Sequence, residues 1–190
     1  MVAEFKTITY QEYLALPETN QPCEVIDGVL IISPAPTSDH QWISGNILEA
    51  LRPFVRKRKL GIVISAPIDV IIRRAPLRTR QPDILYLSAE RSGIKGRAEL
   101  RKMPLIEIAP ELVIEVLSSS DTRRALAGKL RDYQSIGVRE CWLVSPEAET
   151  VEVLRLSTTS ATTVKIFGLG DTLRSEVLPT FKLKLKDIFS

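Results

Sequence analysis

Glu115 stands in the middle of an apolar run, Glu111-Leu112-Val113-Ile114-Glu115-Val116-Leu117-Ser118, that reads as a buried strand. An ionised carboxylate there is costly unless it is paired or bound to a metal. Val113, Glu115 and Leu117 share one strand face, so that face should meet a cation. A second carboxylate, Asp83, follows Pro82 at the start of another strand-like segment, 32 residues earlier. Adjacent strands would bring both acids to one end of a sheet. Two hard oxygen ligands, helped by a backbone carbonyl such as that of Val116, suit Mg2+ or Mn2+. Such an ion polarises a phosphate and activates water. An ammonium nearby suits the same chemistry. Lys129 falls between Leu126 and Leu130 on an apolar helix stripe that also carries Tyr133. From there it would pair with Glu115, position the attacking water or neutralise charge developing on phosphate. Plainer readings stand beside these: a structural ion pair for Glu115, a turn residue after proline for Asp83, and a snorkelling lysine for Lys129.

Positioning these groups requires a sheet with helices against it, and the rest of the chain supplies the pieces. Thr9-Tyr-Gln-Glu12 has the form of a capping box for a short helix to about Leu16. Cys23–Asp27 and Val29–Ser33 read as strands joined by an Asp27-Gly28 hairpin turn. Ser38-Asp-His-Gln41 opens the longest helix, with Ile43, Ile47, Leu48, Leu51, Phe54 and Val55 at helical spacing and Pro53 expected to kink it or begin a second segment. Strands follow at 62–65 and 68–72, then a basic loop with Pro76, then a central strand over 81–87. Residues 88–108 read as an excursion with one helical turn. Ser118, Ser119, Ser120 and Asp121 offer N-caps for a helix over roughly 122–136, stopped at Gly137. A strand containing Trp142 over 139–145, an antiparallel pair over 150–156 and 162–167, and a terminal helix or strand over 183–189 complete the series. This order predicts one α/β domain over 1–190, a central mixed β-sheet flanked by helices in a three-layer sandwich. Tyr133 and Trp142 read as core. His40 shares the helix face of Ile43 and Ile47, so it looks inward, as a cap, a core residue or an accessory to the site.

Composition narrows the function classes. The 190 residues carry 26 Lys/Arg and 23 Asp/Glu, a net charge of +3. Residues 52–102 alone hold 14 basic and 4 acidic residues, a local balance of +10, leaving −7 elsewhere. The basic residues form three groups: Arg52 with Arg56–Lys59, then Arg73, Arg74, Arg78 and Arg80, then Arg91, Lys95, Arg97, Arg101 and Lys102. Segregated charge of one sign points to a polyanionic partner, and the second group is the candidate nucleic-acid contact. The alternative is a solvated face plus cations suited to a helix C-terminus. No apolar run reaches the ~18 residues of a membrane span. Glu4, Lys6, Gln11 and Glu12 interrupt any signal-peptide core, so a cytoplasmic location is expected. Cys23 and Cys141 sit in strand-like contexts without a CxxC, and His40 is the single histidine, which excludes a zinc cluster in favour of buried free thiols.

Taken in order, Cys23-Glu-Val-Ile-Asp-Gly28, His40-Gln41, Gln81-Pro-Asp83, Leu112-Val-Ile-Glu-Val-Leu-Ser118, Lys129 with Tyr133, and Gly137-Val-Arg-Glu-Cys-Trp142 resemble the Uma family of endonuclease-like proteins. That family is similar to the PD-(D/E)xK restriction-endonuclease-like superfamily. The resemblance spans about residues 8–146, with a similar C-terminal tail. It implies a restriction-endonuclease-like fold and Mg2+-dependent (or Mn2+-dependent) hydrolysis of phosphodiester bonds in nucleic acid, chiefly DNA. Asp83 and Glu115 would be catalytic metal ligands, and Glu24 a further acidic ligand. The superfamily's lysine stands two residues after the glutamate, where this chain has Leu117; the family supplies it from the next helix, which maps it to Lys129. A homodimer is expected, since cutting both strands of a duplex calls for two active sites. Leu117 keeps open an alternative, a catalytically degenerate nucleic-acid-binding or regulatory module on the same fold. A third reading, a protein-interaction domain with a structural ion pair, predicts neither metal nor nucleic-acid binding.

Overall fold

The computed structural model describes residues 7–119 and 121–190. Glu4 and Lys6, and Ser120 of the serine run, lie outside the described residues. Local signals place the first elements. Thr9 and Glu12 close the capping box of α1 (Tyr10–Leu14). β1 (Cys23–Ile26) and β2 (Val29–Ile32) form an antiparallel hairpin. Its turn has positive φ at both Asp27 and Gly28, 52° and 85°, the conformation an Asp-Gly pair adopts readily. α2 runs from Ser38 to Lys57, but its N-cap is Thr37, whose hydroxyl accepts from the His40 amide; Ser38 is already the first helical residue. The helix passes Pro53 without ending, because Ile47, Leu51 and Val55 are buried on either side of it and hold the helix to the sheet.

β3 (Gly61–Ser65) follows. β4 (Val70–Arg74) and β5 (Leu77–Arg80) then pair as a hairpin, so Arg73, Arg74, Arg78 and Arg80 lie on strands and not in the loop expected from their charge. After β6 (Ile84–Ser88) the excursion contains two short helices, α3 (Ala89–Ser92) and α4 (Arg97–Leu100). β7 (Leu112–Val116) leads into α5 (Arg123–Ile136), which is capped by the Thr122 hydroxyl and stopped by Gly137 in the left-handed region. β8 (Glu140–Ser145), β9 (Thr150–Leu156) and β10 (Ala161–Phe167) complete the main sheet. β11 (Thr172–Leu173) pairs with β12 (Leu183–Lys184), and α6 (Lys186–Phe189) ends the chain, so the terminal stretch is a strand followed by a helix.

The main sheet has the order β10-β9-β8-β7-β6-β3. β7 is interior, parallel to β8 and antiparallel to β6, which makes the sheet mixed. The parallel pair is the β7–α5–β8 crossover that a short strand followed by a helix requires. Alternation along the strands sends Ile84, Tyr86, Leu112, Ile114 and Trp142 to one face, where Ile43, Ile47 and Leu51 of α2 cover them. Leu85, Val113, Cys141 and Leu143 face the other way, against Tyr133, Leu126 and Leu130 of α5. The result is the expected three-layer sandwich. Gly61 opens β3 at φ +143°, and a side chain there would meet the Leu87 carbonyl at 2.0 Å, so the close approach of β3 to β6 depends on glycine. Cys23 and Cys141 are buried and free. Among the described residues no helix is long and apolar enough to cross a membrane.

Candidate active site at the end of the central strands

The register of β6 and β7 pairs Ile84 with Ile114. One residue further it sets Asp83 opposite Glu115, at the same end of the sheet. The strand order thus closes a gap of 32 residues in sequence. Glu115 is 4% exposed. Its Oε2 accepts from Lys129 Nζ at 2.6 Å, and its Oε1 accepts from the Tyr133 hydroxyl. Lys129 and Tyr133 are four residues apart on α5, so the helix presents both donors on the face turned to the strand. The cation that the buried acid demanded is therefore present within the protein. The lysine is less enclosed than its partner, with 22% of its side chain exposed against 5% for Glu115.

Burial raises the pKa of the Glu115 carboxyl; the Lys129 charge opposes that shift and the Asp83 charge adds to it. Burial works against the Lys129 ammonium, but the charges of Glu115, Glu24 and Asp83 outweigh it and hold the proton on the lysine well into alkaline pH. Both Glu115 oxygens accept, one from the ammonium and one from the tyrosine hydroxyl, the pattern of a carboxylate paired with a lysine. Burial, then the Glu115 charge, keeps the Tyr133 hydroxyl protonated, so it remains a donor.

Asp83 is held from two sides. Its Oδ1 lies 3.0 Å from His40 Nε2, and its Oδ2 accepts the Val116 N–H at 2.7 Å. The ionised carboxylate only accepts, so Nε2 carries the shared proton. His40 enters from the first turn of α2, across the sheet end, and so joins the two helical layers at the site. The register continued by one more residue sets Pro82 opposite Val116, and a proline has no N–H to give. Asp83 takes the Val116 amide in its place. The Val116 carbonyl, pointing the same way as its amide, is left with no ladder donor from Pro82.

The hydrogen bond to Asp83 raises the His40 pKa; burial opposes this, and the Asp83, Glu115 and Asp121 charges add to it. Because the folded value lies above the unfolded one, the His40–Asp83 contact contributes its full stability below about pH 6.5, the free imidazole value. That contribution is lost as pH rises through the folded pKa. His40 is the chain's single histidine, so its ring resonances need no assignment by mutation. Proton NMR should show it titrating above 6.5 in the wild type and moving down in Asp83→Asn. A midpoint at or below 6.5 in the wild type would contradict the contact.

Glu24 borders the site and is held by partners of its own. It lies on β1, where Arg80 donates to its Oε2 at 2.5 Å and the Gln81 N–H to its Oε1 at 3.2 Å. Its charge reaches Lys129 and Tyr133 only electrostatically. Among the described residues no group of three or more His, Cys, Asp or Glu side chains is gathered to hold a metal ion. The donor set nevertheless fits a hard divalent cation: two carboxylates face each other across adjacent strands, beside a carbonyl that no ladder donor reaches.

Each arginine assigned to nucleic-acid contact pairs with a carboxylate of the protein, Arg78 and Arg80 in enclosed positions and Arg73 and Arg74 at the surface. Arg78 pairs with Asp132 at 2.8 Å and Asp27 at 3.0 Å, and Arg80 with Asp132 at 2.7 Å as well as with Glu24. Arg73 pairs with Asp27, and Arg74 with Glu107. Each guanidinium is already matched to a carboxylate, and Arg80 ties β1 to α5 through Glu24 and Asp132. Tyr133 is the site residue that sequence reasoning passed over. Its position on the stripe with Lys129 was the available signal, since the same turn of helix aims both at Glu115.

A family model described as "Putative restriction endonuclease", Uma2, matches residues 10–186. Among curated proteins none matches the chain. A solved structure described as "a putative nuclease belonging to DUF820 from Anabaena variabilis ATCC 29413" is similar over 96% of this chain and 97% of that one, with a TM-score of 0.77 and 22% identity. At that identity the likeness bears on the fold, which it shares from end to end.

Proposed function

The chain belongs to the Uma2 family, whose description supports a nuclease-like function, and from that premise we propose that it is a divalent-metal-dependent endonuclease hydrolysing phosphodiester bonds, with DNA as substrate. The observation that carries the reading is the cross-strand pair of Asp83 and Glu115 with Lys129 at 2.6 Å from the latter. Asp83, Glu115 and the Val116 carbonyl would hold Mg2+ or Mn2+. When bound, that ion polarises the scissile phosphate and lowers the pKa of its water.

The chain's own groups do the rest. His40 fixes the rotamer of Asp83, and Tyr133 fixes that of Glu115, so both carboxylates are oriented before substrate arrives. Lys129 brings a permanent positive charge to the sheet end, beside the position a phosphate would take, and offsets charge growing on its oxygens. Water oxygen bonds to phosphorus and releases a proton to solvent, the bond to the leaving ester oxygen breaks with its electron pair staying on that oxygen, and that oxygen takes up a proton from solvent. Leu117, at the position of the superfamily's lysine, packs in the α5-side core, so the ammonium comes from the helix. Cutting both strands of a duplex would take two copies, and chromosomal DNA as substrate would place the work in the cytoplasm. Purified protein should nick or linearise plasmid DNA with Mg2+ or Mn2+, stop on chelation and resume when metal is restored. Failure to cut DNA or RNA of any strand form with either ion would sink the proposal.

A further inference from the structure

The basic segment 52–102 divides into two populations. The hairpin arginines are neutralised, as described. By contrast, none of the other basic residues of the segment makes an ion pair among the described residues, and Arg52, Arg56 and Lys95 are among them. These three meet at one place, a groove of about 780 Å³ between α2, the exposed edge of β3 and the loop that joins α3 to α4. Its floor includes Ile62 and Val63 of β3, and Glu49 is the single acid among its lining residues. Gly45 opens the groove at the end nearest the site: a Cβ there would meet nothing within 4 Å. Gly45 is five residues along α2 from His40, about 7.5 Å at 1.5 Å per residue. At the far end Arg52 Nε donates to the Val63 carbonyl at 3.3 Å, which anchors that guanidinium over the strand edge. Val63 pairs with Tyr86, three residues along β6 from Asp83, a rise of roughly 10 Å at about 3.3 Å per residue, and Arg52 lies about 18 Å along α2 from His40 at 1.5 Å per residue.

We infer that this groove, and not the arginine hairpin, is the track for the substrate's phosphodiester backbone, leading to the Asp83–Glu115 end of the sheet. The inference rests on the nucleic-acid reading above. Several successive phosphates of one strand would span the distance from Asp83 to Arg52 and Arg56. Unpaired cations at that spacing, over an apolar floor, complement a polyanion in a way that paired ones do not.

The test is binding without cleavage. A fluorescein-labelled 20-base-pair duplex, and the same sequence as a single strand, would be titrated with the full chain in EDTA, by anisotropy, at several salt concentrations. Arg56→Gln/Lys95→Gln removes two groups that make no hydrogen bond among the described residues, so loss of fold is not at issue. It should weaken binding at least tenfold at low salt and reduce the slope of log K on log salt by about 0.9 per cation for the duplex. Arg73→Gln/Arg74→Gln should bind within twofold of wild type, and the two substrate arms show which strand form the track prefers. A wild-type protein that binds while the groove variant binds equally well overturns the track and leaves the nuclease proposal standing. Weakened binding by the groove variant, in a protein that never cuts with metal, supports the track and removes the nuclease. A wild type with no salt-sensitive binding overturns both.

Discussion

Replacing Asp83 with alanine should lower cleavage by at least about a thousandfold while leaving a folded protein. The activity loss follows from where the residue stands. Asp83 supplies half of the carboxylate pair that would hold the ion, and loss of one group that acts on the transition state typically costs about 10²–10³ in rate. Here the same change also frees His40 and the Val116 amide, so the neighbouring groups lose their orientation as well. The structural penalty is smaller. One partner of a part-buried histidine and one ladder amide are left unmatched, a cost of about 1–3 kcal/mol. Asp83→Asn separates the two effects. Its amide oxygen still accepts from Val116, so stability should return most of the way, whereas the charge, and with it cleavage, should not. Single-turnover cleavage beside urea unfolding followed by circular dichroism reads both. Cleavage by Asp83→Ala at more than a tenth of the wild-type rate removes Asp83 from the machinery.

Lys129→Met should destabilise the protein by about 3–5 kcal/mol at neutral pH, the cost of leaving one member of a buried ion pair without the other. The expected pH dependence has a definite sign. Burial already raises the Glu115 pKa, and Lys129 is the charge that opposes the shift. Without the lysine the folded pKa climbs further above the unfolded value of about 4.3. A group whose folded pKa is raised contributes stability that is present below the unfolded value and is lost as pH rises through the folded one. The difference between variant and wild type should therefore be small near pH 4 and grow as pH rises above the unfolded value. Adding Glu115→Gln to Lys129→Met should recover part of the loss, because the uncompensated charge is gone. A difference below about 1 kcal/mol that does not change with pH would show that the pair is not held as ions.

Much of the fold was legible because its signals are local. Thr9 with Glu12, Asp27 with Gly28, and Gly137 each fix a chain direction through bonds or backbone angles within four residues. Glu115 and Lys129 were legible for a different reason. A charge inside an apolar strand and one on an apolar helix stripe are both anomalies, and a strand followed by its crossover helix brings such anomalies together. The misreadings have a common cause. Composition gives the number of arginines between 73 and 80 but not their partners, and Asp27, Asp132 and Glu24 lie 46 to 56 residues away in sequence. Tyr133 looked like core because it is core by burial. Only its hydroxyl reaches Glu115, and a stripe pattern reports where a side chain points without reporting what its last atom touches. The α2 cap falls on Thr37, one residue before Ser38, because the Thr37 hydroxyl takes the His40 amide.

The exchange of partners at Pro82 gives the site a built-in reporter. In most of a sheet an amide is protected from solvent hydrogen exchange by a neighbouring backbone, and its exposure follows the opening of the strands. The Val116 amide is protected by the Asp83 side chain instead. Its exchange therefore follows the rotamer and occupancy of one carboxylate as well as the opening of the end of β6. Whatever draws Asp83 towards another partner, whether an ion, a proton or a substrate, would be recorded as a change in the lifetime of a single deuterium-exchangeable site, while the amides of Leu112 and Ile114 on the same strand stay as they were.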